Sequence, residues 1–223
     1  EIQHGWFAIQ EPGLGRRLER QYRMHRDIMG FSNEALYDGA LEAAPEVAGH
    51  RLCDLPGVDE AAPTARPLFF VDTAGAGFEE ETGADGASRS NPREAEVLVA
   101  ELSRWLEHGV PPEAVGVITP YAAQARLLRD LVGELPVEVD TVDGFQGREK
   151  EGILVSLVRS NPDGEVGFLA EHRRINVALT RARRGLFVIG DGATLAADPF
   201  YEQLIAHAAQ NGGYVSIWEH APP

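Results

Sequence analysis

Two neighbouring stretches of sequence decide the fold of this chain: TVDGFQGREKEGILVSLVRSN at residues 141–161, and GEVGFLAEHRRINVALTRA at residues 164–182. The first holds a Gly-containing loop and then an apolar run that is typical of a buried strand. The second predicts a helix over residues 173–183, because its apolar side chains recur three, four and seven positions apart. Another apolar run, at residues 186–190, follows this helix. A strand, a helix and a strand in this order predict two parallel strands joined by a helical crossover.

The predicted helix carries arginines on more than one face. Its apolar stripe consists of Ile175, Ala178, Leu179 and Ala182. Arg174 and Arg181 share a face beside that stripe, whereas Arg183 lies roughly 200° around the helix from Arg181. An arginine held on a packed helix beside a Gly-rich loop suits the stabilisation of a phosphate during its transfer. The alternative is that these arginines are solvated or paired with nearby acids.

The rest of the chain continues this alternation of strands and helices. Strands are predicted at residues 67–72, 114–119, 137–142, 152–158 and 186–190. Helices are predicted at residues 16–37, 92–108, 122–132, 173–183 and 194–210. Asn91 is expected to cap the second helix and Pro92 to be its first residue. The sequence therefore predicts a three-layer α/β fold, in which a mostly parallel sheet has helices on both faces.

The domain organisation follows from where this alternation begins and ends. We expect residues 1–15 to be a linker or the end of a preceding domain, because the chain opens with Glu1 and not with Met. One domain is expected over residues 16–212. Within it, residues 40–91 are rich in Ala, Pro and Gly and predict an irregular connection and an exposed loop. Residues 213–223 are expected to form a C-terminal tail.

Composition narrows the class of protein. The chain has 223 residues, enough for one α/β domain with a substantial core. Its single cysteine, Cys53, excludes an internal disulfide and favours a reducing, cytoplasmic location. No run approaches the ~18 apolar residues of a membrane helix, and the histidines and Cys53 show no spacing typical of a metal site. We therefore expect no membrane partner and no metal ligands in this chain.

The net charge of −15 is unevenly distributed. Residues 42–101 contain 13 acidic and 4 basic side chains, whereas residues 140–190 contain 7 acidic and 8 basic ones. The acidity thus lies mainly in the middle of the chain, and the segment that holds the two deciding stretches is slightly basic. Charge alone neither supports nor excludes binding to nucleic acid.

Four segments together resemble one known family. They are LERQYRMHRDIMGFSNEALYDGAL at residues 18–41, VGVITPYAAQARLLRDL at residues 115–131, and the two stretches at 141–161 and 164–182. In this order they resemble the second RecA-like domain of superfamily 1 helicases of the up-frameshift type, in the immunoglobulin mu-binding protein 2 branch. The resemblance covers residues 18–208 and implies an ATP-dependent helicase that translocates on single-stranded DNA or RNA.

The resemblance implies that two arginines are catalytic. Arg181 matches the arginine finger of the family, and Arg23 matches a second arginine that contacts the γ-phosphate. Both would approach ATP from the domain opposite the P-loop, so that they engage only when the cleft between two domains closes. Without the resemblance, an ordinary surface arginine on a helix would be the favoured interpretation of Arg23.

The resemblance also implies a set of cofactor-binding residues for ATP: Tyr22, Gln146, Gly147 and Glu149. Tyr22 would stack on the base. The carboxylate of Glu149 would accept a hydrogen bond from the ribose. The alternatives are that Tyr22 is a half-buried core residue and that Glu149 is a solvated acid in a loop.

The chain contains no P-loop, which would require the pattern G-x-x-x-x-G-K-[ST]. Its one lysine, Lys150, is followed by Glu151. In the family, the P-loop and the Mg²⁺-binding acid belong to a first RecA-like domain. The resemblance therefore implies that the first RecA-like domain of the same protein is a partner of this chain and holds the Mg²⁺ of the nucleotide.

The resemblance places nucleic acid at the ends of two strands. The implied binding residues are Thr119, Pro120, Tyr121, Thr141 and Asp143. Hydroxyls and backbone N–H groups can hold phosphates without reading sequence, as a translocating motor requires. Threonine and tyrosine are also common at strand ends for purely structural reasons.

Two functions remain open from the sequence. The first is the C-terminal motor domain of an ATP-dependent helicase. The second is a non-catalytic module that has kept the RecA-like fold and binds nucleic acid or a protein. The presence of Arg23, Gln146, Glu149 and Arg181 together favours the motor. The sequence does not distinguish DNA from RNA as the substrate.

Overall fold

The fold is a parallel sheet between two layers of helices. The computed structural model describes residues 19–83, 86 and 88–220. The strands are β1 Arg20–Gln21, β2 Glu42–Ala43, β3 Leu68–Asp72, β4 Glu81–Thr82, β5 Arg89–Ser90, β6 Val115–Thr119, β7 Glu138–Thr141, β8 Lys150–Ser156, β9 Ala182–Gly190 and β10 Tyr214–Ser216. The helices are α1 Arg26–Leu36, α2 Ala62–Ala65, α3 Pro92–Glu107, α4 Ala122–Val132, α5 His172–Leu179, α6 Gly192–Leu195, α7 Pro199–Gln210 and α8 Ile217–His220, with 3₁₀ turns at Leu52–Asp54, Pro112–Ala114 and Gly167–Ala170.

Six strands form the main sheet in the order β10-β3-β9-β8-β6-β7, and every neighbouring pair is parallel. Because all six strands run the same way, the sheet has one edge where strands begin and one where they end. The end of the sheet at which the strands begin is named the amino edge, and the end at which they finish is named the carboxyl edge; neither name refers to the outermost strands. The predicted three-layer α/β fold with a mostly parallel sheet is confirmed.

Alternate residues of the central strands point into two separate cores, as the pleat of a strand requires. On one face, Phe70, Val155 and Val188 pack in the cluster that holds the apolar residues of α1, α5 and α7. On the other face, Leu154 and Phe187 pack in the cluster that holds those of α3 and α4. Helices thus cover both faces of the sheet, and its central strands are buried on both sides.

Two glycines opposite each other in the sheet leave room for large side chains that pack on them. Gly152 of β8 pairs with Gly185 of β9. A Cβ at Gly152 would collide with the ring of Trp105, whereas one at Gly185 would lie 2.5 Å from the side chain of Leu52. Trp105 is 1% exposed and donates from its indole N–H to the Glu101 carboxylate at 3.0 Å. The absence of a side chain at Gly152 therefore leaves room for Trp105, and its absence at Gly185 leaves room for Leu52.

The predicted helix over residues 16–37 begins later than expected. Residues 16–18 lie outside the described part of the chain, β1 occupies Arg20–Gln21, and α1 begins only at Arg26. The cause is Gln21. Its side-chain oxygen accepts from the N–H groups of Arg23 at 2.7 Å and Met24 at 2.8 Å, and its amide donates to the Met24 carbonyl at 2.9 Å. These bonds hold Tyr22 and Arg23 in a tight turn.

The predicted helix over residues 173–183 ends earlier than expected. Helix α5 stops at Leu179, and the Thr180 hydroxyl donates back to the Asn176 carbonyl at 2.8 Å. Strand β9 begins at Ala182, which pairs with Lys150. The prediction that Arg181 and Arg183 lie on two faces of one helix is therefore wrong. Pairing with β8 outweighs the helical periodicity.

The C-terminal part of the chain also differs from the prediction. The helix expected over 194–210 is broken into α6 and α7, because the Asp198 side chain caps a new helix that starts with Pro199. Residues 214–216, expected in a tail, form β10 at one side of the main sheet. The stretch at 73–91 contains the small antiparallel pair β4 and β5, and Asn91 at its end is fully buried.

Several predicted elements are confirmed. The five predicted strands correspond to β3, β6, β7, β8 and β9, and the helix predicted at 122–132 is α4. Asn91 caps α3 by accepting from Glu94 N at 3.1 Å, and Pro92 is its first residue. In the part of the chain that the structure describes, no helix combines the length and the apolar character needed to cross a bilayer.

Candidate functional site

The amino edge brings together the segments that precede β8 and β9. The Lys150 N–H donates to the Arg181 carbonyl at 3.1 Å. This backbone bond holds Glu149 and Arg181 next to each other at the start of two neighbouring strands. The turn that contains Arg23 lies against the same place, because the next residue but one, His25, donates its N–H to the Arg183 carbonyl at 2.8 Å. Three segments far apart in sequence therefore converge.

Arg181 is held by the backbone and not by an acid. Its Nε donates to the Val177 carbonyl at 3.0 Å, and its Nη1 donates to the Arg148 carbonyl at 3.1 Å. Among the described residues, no carboxylate lies within 4.0 Å of its guanidinium. Burial, followed by the charge of Arg23, lowers the pKa of Arg181 from its ordinary value. A rigid cation without a bonded counterion is a ready receptor for an anion.

Arg23 and Glu149 form an ion pair beside Arg181. Arg23 Nε donates to Glu149 Oε2, and Arg23 Nη1 donates to the Thr180 carbonyl at 3.3 Å. The side chains of Arg23 and Glu149 are 36% and 40% exposed. A carboxylate has several acceptor positions, so Glu149 can keep Arg23 and still accept from a sugar hydroxyl. The cluster has two guanidinium groups and one carboxylate.

The other residues expected to bind the nucleotide lie around this cluster. Tyr22 is 64% exposed, which is high for an aromatic side chain and excludes the alternative of a half-buried core tyrosine. Gln146 and Gly147 are exposed in the loop before Glu149, and the positive φ of Gly147, 80°, suits glycine. The structure brings Arg23, Glu149 and Arg181 into contact range. Tyr22, Gln146 and Gly147 are exposed, and each lies within three residues of Arg23 or Glu149 along the chain.

The carboxyl edge holds the residues expected to bind nucleic acid, and several are buried. Thr119 is fully buried, and its hydroxyl oxygen has no hydrogen-bond partner within the described ranges. Pro120 is also buried, while Tyr121 is half-buried at the start of α4. Thr119 and Thr141 are direct partners in the register of β6 and β7. Two of the residues expected to contact nucleic acid, Thr119 and Thr141, thus lie side by side, but the Thr119 hydroxyl is not at the surface.

The remaining two expected contacts lie just beyond β7. The Thr141 hydroxyl accepts from Gly144 N at 3.3 Å and closes the turn after the strand. Asp143 is exposed and lies 3.8 Å from Arg174 of α5. Such a carboxylate repels phosphate by itself, so a role for Asp143 at a nucleic-acid backbone requires Arg174 beside it.

One loop joins the two edges. Residues 142–149 leave β7 at the carboxyl edge and enter β8 at the amino edge, a distance of roughly 15 Å for a strand of this length. Phe145 fixes the loop to the sheet. Its ring is fully buried and would lie 2.6 Å from a Cβ at Gly116. At the far end, Arg148 pairs with Glu138 at the start of β7.

Sequence reasoning missed a buried polar network behind the carboxyl edge. It consists of Asn91, Glu94, Gln124 and Ser156, all of them fully buried. Glu94 had no distinguishing signal, since an acid in the first turn of a helix is common and its partner Ser156 is 62 residues away.

The charge of the site suits a polyphosphate. Two guanidinium groups with one carboxylate suit an anionic ligand. Across residues 19–83, 86 and 88–220, no group of three or more His, Cys, Asp or Glu side chains could hold a metal ion.

The fold and the site together define a RecA-like domain of the helicase kind. The structure is similar to the C-terminal domain of a possible DNA helicase from Lactobacillus plantarum WCFS1, with a TM-score of 0.50 and 13% identity over 88% of this chain and 98% of that one. The sequence profile of the AAA domain family matches residues 10–193. The chain belongs to the superfamily 1 helicases of the up-frameshift type.

Three relatives illustrate this membership. DNA-binding protein SMUBP-2 of Mus musculus is 45% identical over 210 residues, which are 93% of this chain and 21% of the relative. DNA polymerase alpha-associated DNA helicase A of Schizosaccharomyces pombe is 44% identical over 90% of this chain and 32% of its own length. The Regulator of nonsense transcripts 1 homolog of Arabidopsis thaliana is 37% identical over 86% and 16%. The chain thus spans a third or less of each of these relatives.

Proposed function

We propose that this chain is the C-terminal motor domain of an ATP-dependent helicase that translocates on single-stranded DNA or RNA. The observation that carries the proposal is Arg181, a half-buried guanidinium that is anchored by two backbone carbonyls and has no bonded carboxylate among the described residues. Holding an uncompensated cation in place costs stability. That cost is understandable if the cation serves an anion from outside the domain.

Arg181 would act as the arginine finger. ATP, when bound with its Mg²⁺ against the first RecA-like domain, supplies the phosphoryl group that is transferred to water. Because the two carbonyl contacts fix the guanidinium before any ligand arrives, Arg181 needs no reorganisation to stabilise negative charge on the transferring phosphate. Its function depends on the closure of two domains, so hydrolysis can be linked to movement.

The neighbours of Arg181 would recognise the rest of the nucleotide. Arg23 would contact the γ-phosphate from the second side, with Glu149 orienting its guanidinium and accepting from the ribose. The exposed ring of Tyr22 would stack on the base, which supplies affinity without strong selection among purines. Gln146 and Gly147 would line the approach. These roles rest on the convergence of the three segments and on the resemblance of their motifs.

Nucleic acid would bind at the opposite, carboxyl edge. Tyr121, Thr141 and Asp143 with Arg174 are at the surface there, whereas Thr119 and Pro120 would contribute through the backbone and the shape of the strand end. This edge is where open α/β sheets commonly bind ligands. A motor that moves along its track needs contacts of this sequence-independent kind. The chain's acidic total charge implies that other parts of the protein supply much of the basic surface.

The experiment that tests the divided site compares two proteins. The 223-residue chain alone should release no phosphate from ATP above a buffer control, while the intact protein that contains it should hydrolyse ATP when single strand is added. Phosphate release by the chain alone that the substitution Arg181→Ala abolishes would contradict the proposal. An intact protein that binds single strand but never hydrolyses ATP would instead favour a non-catalytic binding module.

A further inference from the structure

The network behind the carboxyl edge is built around the carboxyl group of Glu94. Its Oε2 accepts from the Ser156 hydroxyl at 2.7 Å and from the Val158 N–H at 2.9 Å. The amide of Gln124 donates to the Ser156 hydroxyl at 3.0 Å and to the Asn91 carbonyl at 3.1 Å, and its oxygen accepts from Asn91 N at 2.8 Å. The network therefore ties the starts of α3 and α4 to the end of β8.

The residue that this network holds has a strained backbone. Val158 has a φ of +73°, in the left-handed region that a β-branched residue very rarely adopts. Both of its backbone polar groups are bound by the network, the N–H by Glu94 and the carbonyl by the Asn91 side chain at 3.3 Å. Such strain persists only where the surroundings impose it, and it is concentrated at functional sites.

The strained residue directs Arg159 toward Tyr121. Arg159 is 5% exposed and donates from Nε to Glu80 Oε2 at 2.8 Å. Its guanidinium also interacts electrostatically with the Tyr121 side chain. A Cβ at Gly167 would collide with Arg159 and would lie 3.3 Å from the Tyr121 hydroxyl, so these three residues meet. The position of the half-buried Tyr121 ring thus depends on the path that the backbone takes at Val158.

We infer that Glu94 is a positioning residue for nucleic-acid binding: it holds Val158 in the left-handed conformation, and Arg159 in turn places Tyr121 at the carboxyl edge. This inference rests on the proposed function, in which Tyr121 contacts the strand. Glu94 itself is fully buried and touches no ligand. Its other oxygen, Oε1, has no hydrogen-bond partner within the described residues. All the hydrogen bonds that hold Ser156 and Val158 are therefore made by Oε2.

The test uses the intact protein and three substitutions. Glu94→Leu keeps a similar volume but removes the acceptor, and should weaken binding of an oligonucleotide single strand about tenfold, which corresponds to about 1.4 kcal/mol. Glu94→Gln keeps an acceptor oxygen and should bind within about twofold of wild type. Val158→Gly, added to Glu94→Leu, should restore most of the affinity, because glycine adopts a positive φ without strain. Affinity for an ATP analogue should stay unchanged in all three.

The rescue separates positioning from a general loss of structure. Wild-type strand affinity in Glu94→Leu would overturn the inference, and so would a parallel loss of strand and nucleotide affinity that Val158→Gly does not restore. If Glu94→Leu does not fold, Ser156→Ala replaces it, with an expected loss of about threefold, about 0.7 kcal/mol, again restored by Val158→Gly; an unchanged affinity there would also overturn it. A wild-type protein that binds no single strand would refute the proposed function instead.

Discussion

The two edges of the sheet place polar groups in opposite ways. At the amino edge, Arg23, Glu149 and Tyr22 are at least one-third exposed, and Arg181 lacks a bonded carboxylate within the described chain. At the carboxyl edge, Asn91, Glu94, Gln124 and Ser156 are fully buried and bonded to one another. The amino edge leaves charged groups at least partly accessible, whereas the polar groups behind the carboxyl edge are bonded to one another inside the domain.

This difference predicts two kinds of mutational effect. A group that awaits a ligand can be removed with little effect on the folded domain, because it contributes few internal contacts. A group inside a buried network cannot be removed without exposing its partners to an apolar environment, which costs stability. Substitutions at the amino edge should therefore change activity more than folding, and the reverse should hold behind the carboxyl edge.

The largest expected effect is at Arg181. Arg181→Ala in the intact protein should lower kcat roughly 10³- to 10⁵-fold, the range for loss of an arginine finger. Arg183→Ala is the matched control, because Arg183 is ion-paired to Glu151 at 3.0 Å. It should keep most of the turnover when ATP and single strand are saturating. The measurement is steady-state phosphate release, with thermal melts of both variants.

The opposite order of kcat in these two variants would contradict the proposed difference between the edges. A nearly inactive Arg183→Ala together with an active Arg181→Ala would show that the half-buried guanidinium without a bonded carboxylate is not the one that meets the phosphate.

The next effect is expected in the loop that joins the edges. Phe145→Ala should lower the free energy of unfolding by about 3–5 kcal/mol, because the buried ring leaves a cavity against Gly116. Gln146→Ala, one residue away and exposed, should change it by less than about 0.5 kcal/mol. Urea unfolding of both variants measures the difference. Equal stabilities would show that Phe145 does not anchor the loop.

A smaller effect is expected for Tyr22. Loss of the exposed ring should weaken ATP binding to the intact protein by about 1–3 kcal/mol, the range found for base stacking on an aromatic side chain. Tyr22→Phe should retain wild-type affinity, since stacking needs the ring and not the hydroxyl. Titration with an ATP analogue decides this, and a Tyr22→Ala variant with unchanged affinity would exclude stacking.

The smallest expected effect is the pH dependence of stability that comes from Glu94, behind the carboxyl edge. Burial raises the pKa of Glu94 to about 8 and outweighs the hydrogen bonds from Ser156 and Val158, which lower it, while the nearby acids Asp191 and Glu80 raise it by smaller amounts. The folded state therefore keeps a proton that the unfolded state loses above its ordinary pKa. The stabilising contribution is fully present below the unfolded pKa and is lost as the pH rises toward about 8.

Between pH 6 and pH 7, this linkage should lower the free energy of unfolding by about 1 kcal/mol. Glu94→Gln is neutral at every pH and should lack this part of the slope. Urea unfolding of both proteins at the two pH values measures it. Identical slopes in wild type and Glu94→Gln would show that Glu94 is already ionised in the folded state.

Much of the fold could be predicted from the sequence because its signals are local. The apolar runs of β3, β6 and β8 and the cap of α3 by Asn91 depend on neighbours in the chain, and all were found where expected. The end of α5 was not, because Ala182 pairs with Lys150 of a distant strand and the periodic apolar pattern continues past the helix. The turn at Tyr22 was also missed although it is local, because the Gln21 side chain accepts from the N–H of Arg23 and interrupts a stretch whose apolar pattern favours a helix.

The candidate site, like the fold, could be predicted from the sequence only in part. The motifs pointed to Arg23, Glu149 and Arg181, and the structure brings these three together. The roles of Thr119, Pro120, Tyr121, Thr141 and Asp143 stay predictions, and the burial of Thr119 could not be read from its position at a strand end. Glu94 was beyond reach, because its importance comes from a partner on another element and from the strained backbone of Val158.

The central claim is that nucleotide and nucleic acid use opposite edges of one sheet, and hydrogen–deuterium exchange on the intact protein tests it most directly. An ATP analogue should protect peptides that contain residues 20–25 and 146–151 and leave those with residues 119–123 unchanged. A saturating single strand should protect residues 119–123 and 141–144 in the absence of nucleotide. Protection of residues 20–25 by single strand alone, or of residues 119–123 by nucleotide alone, would contradict the account.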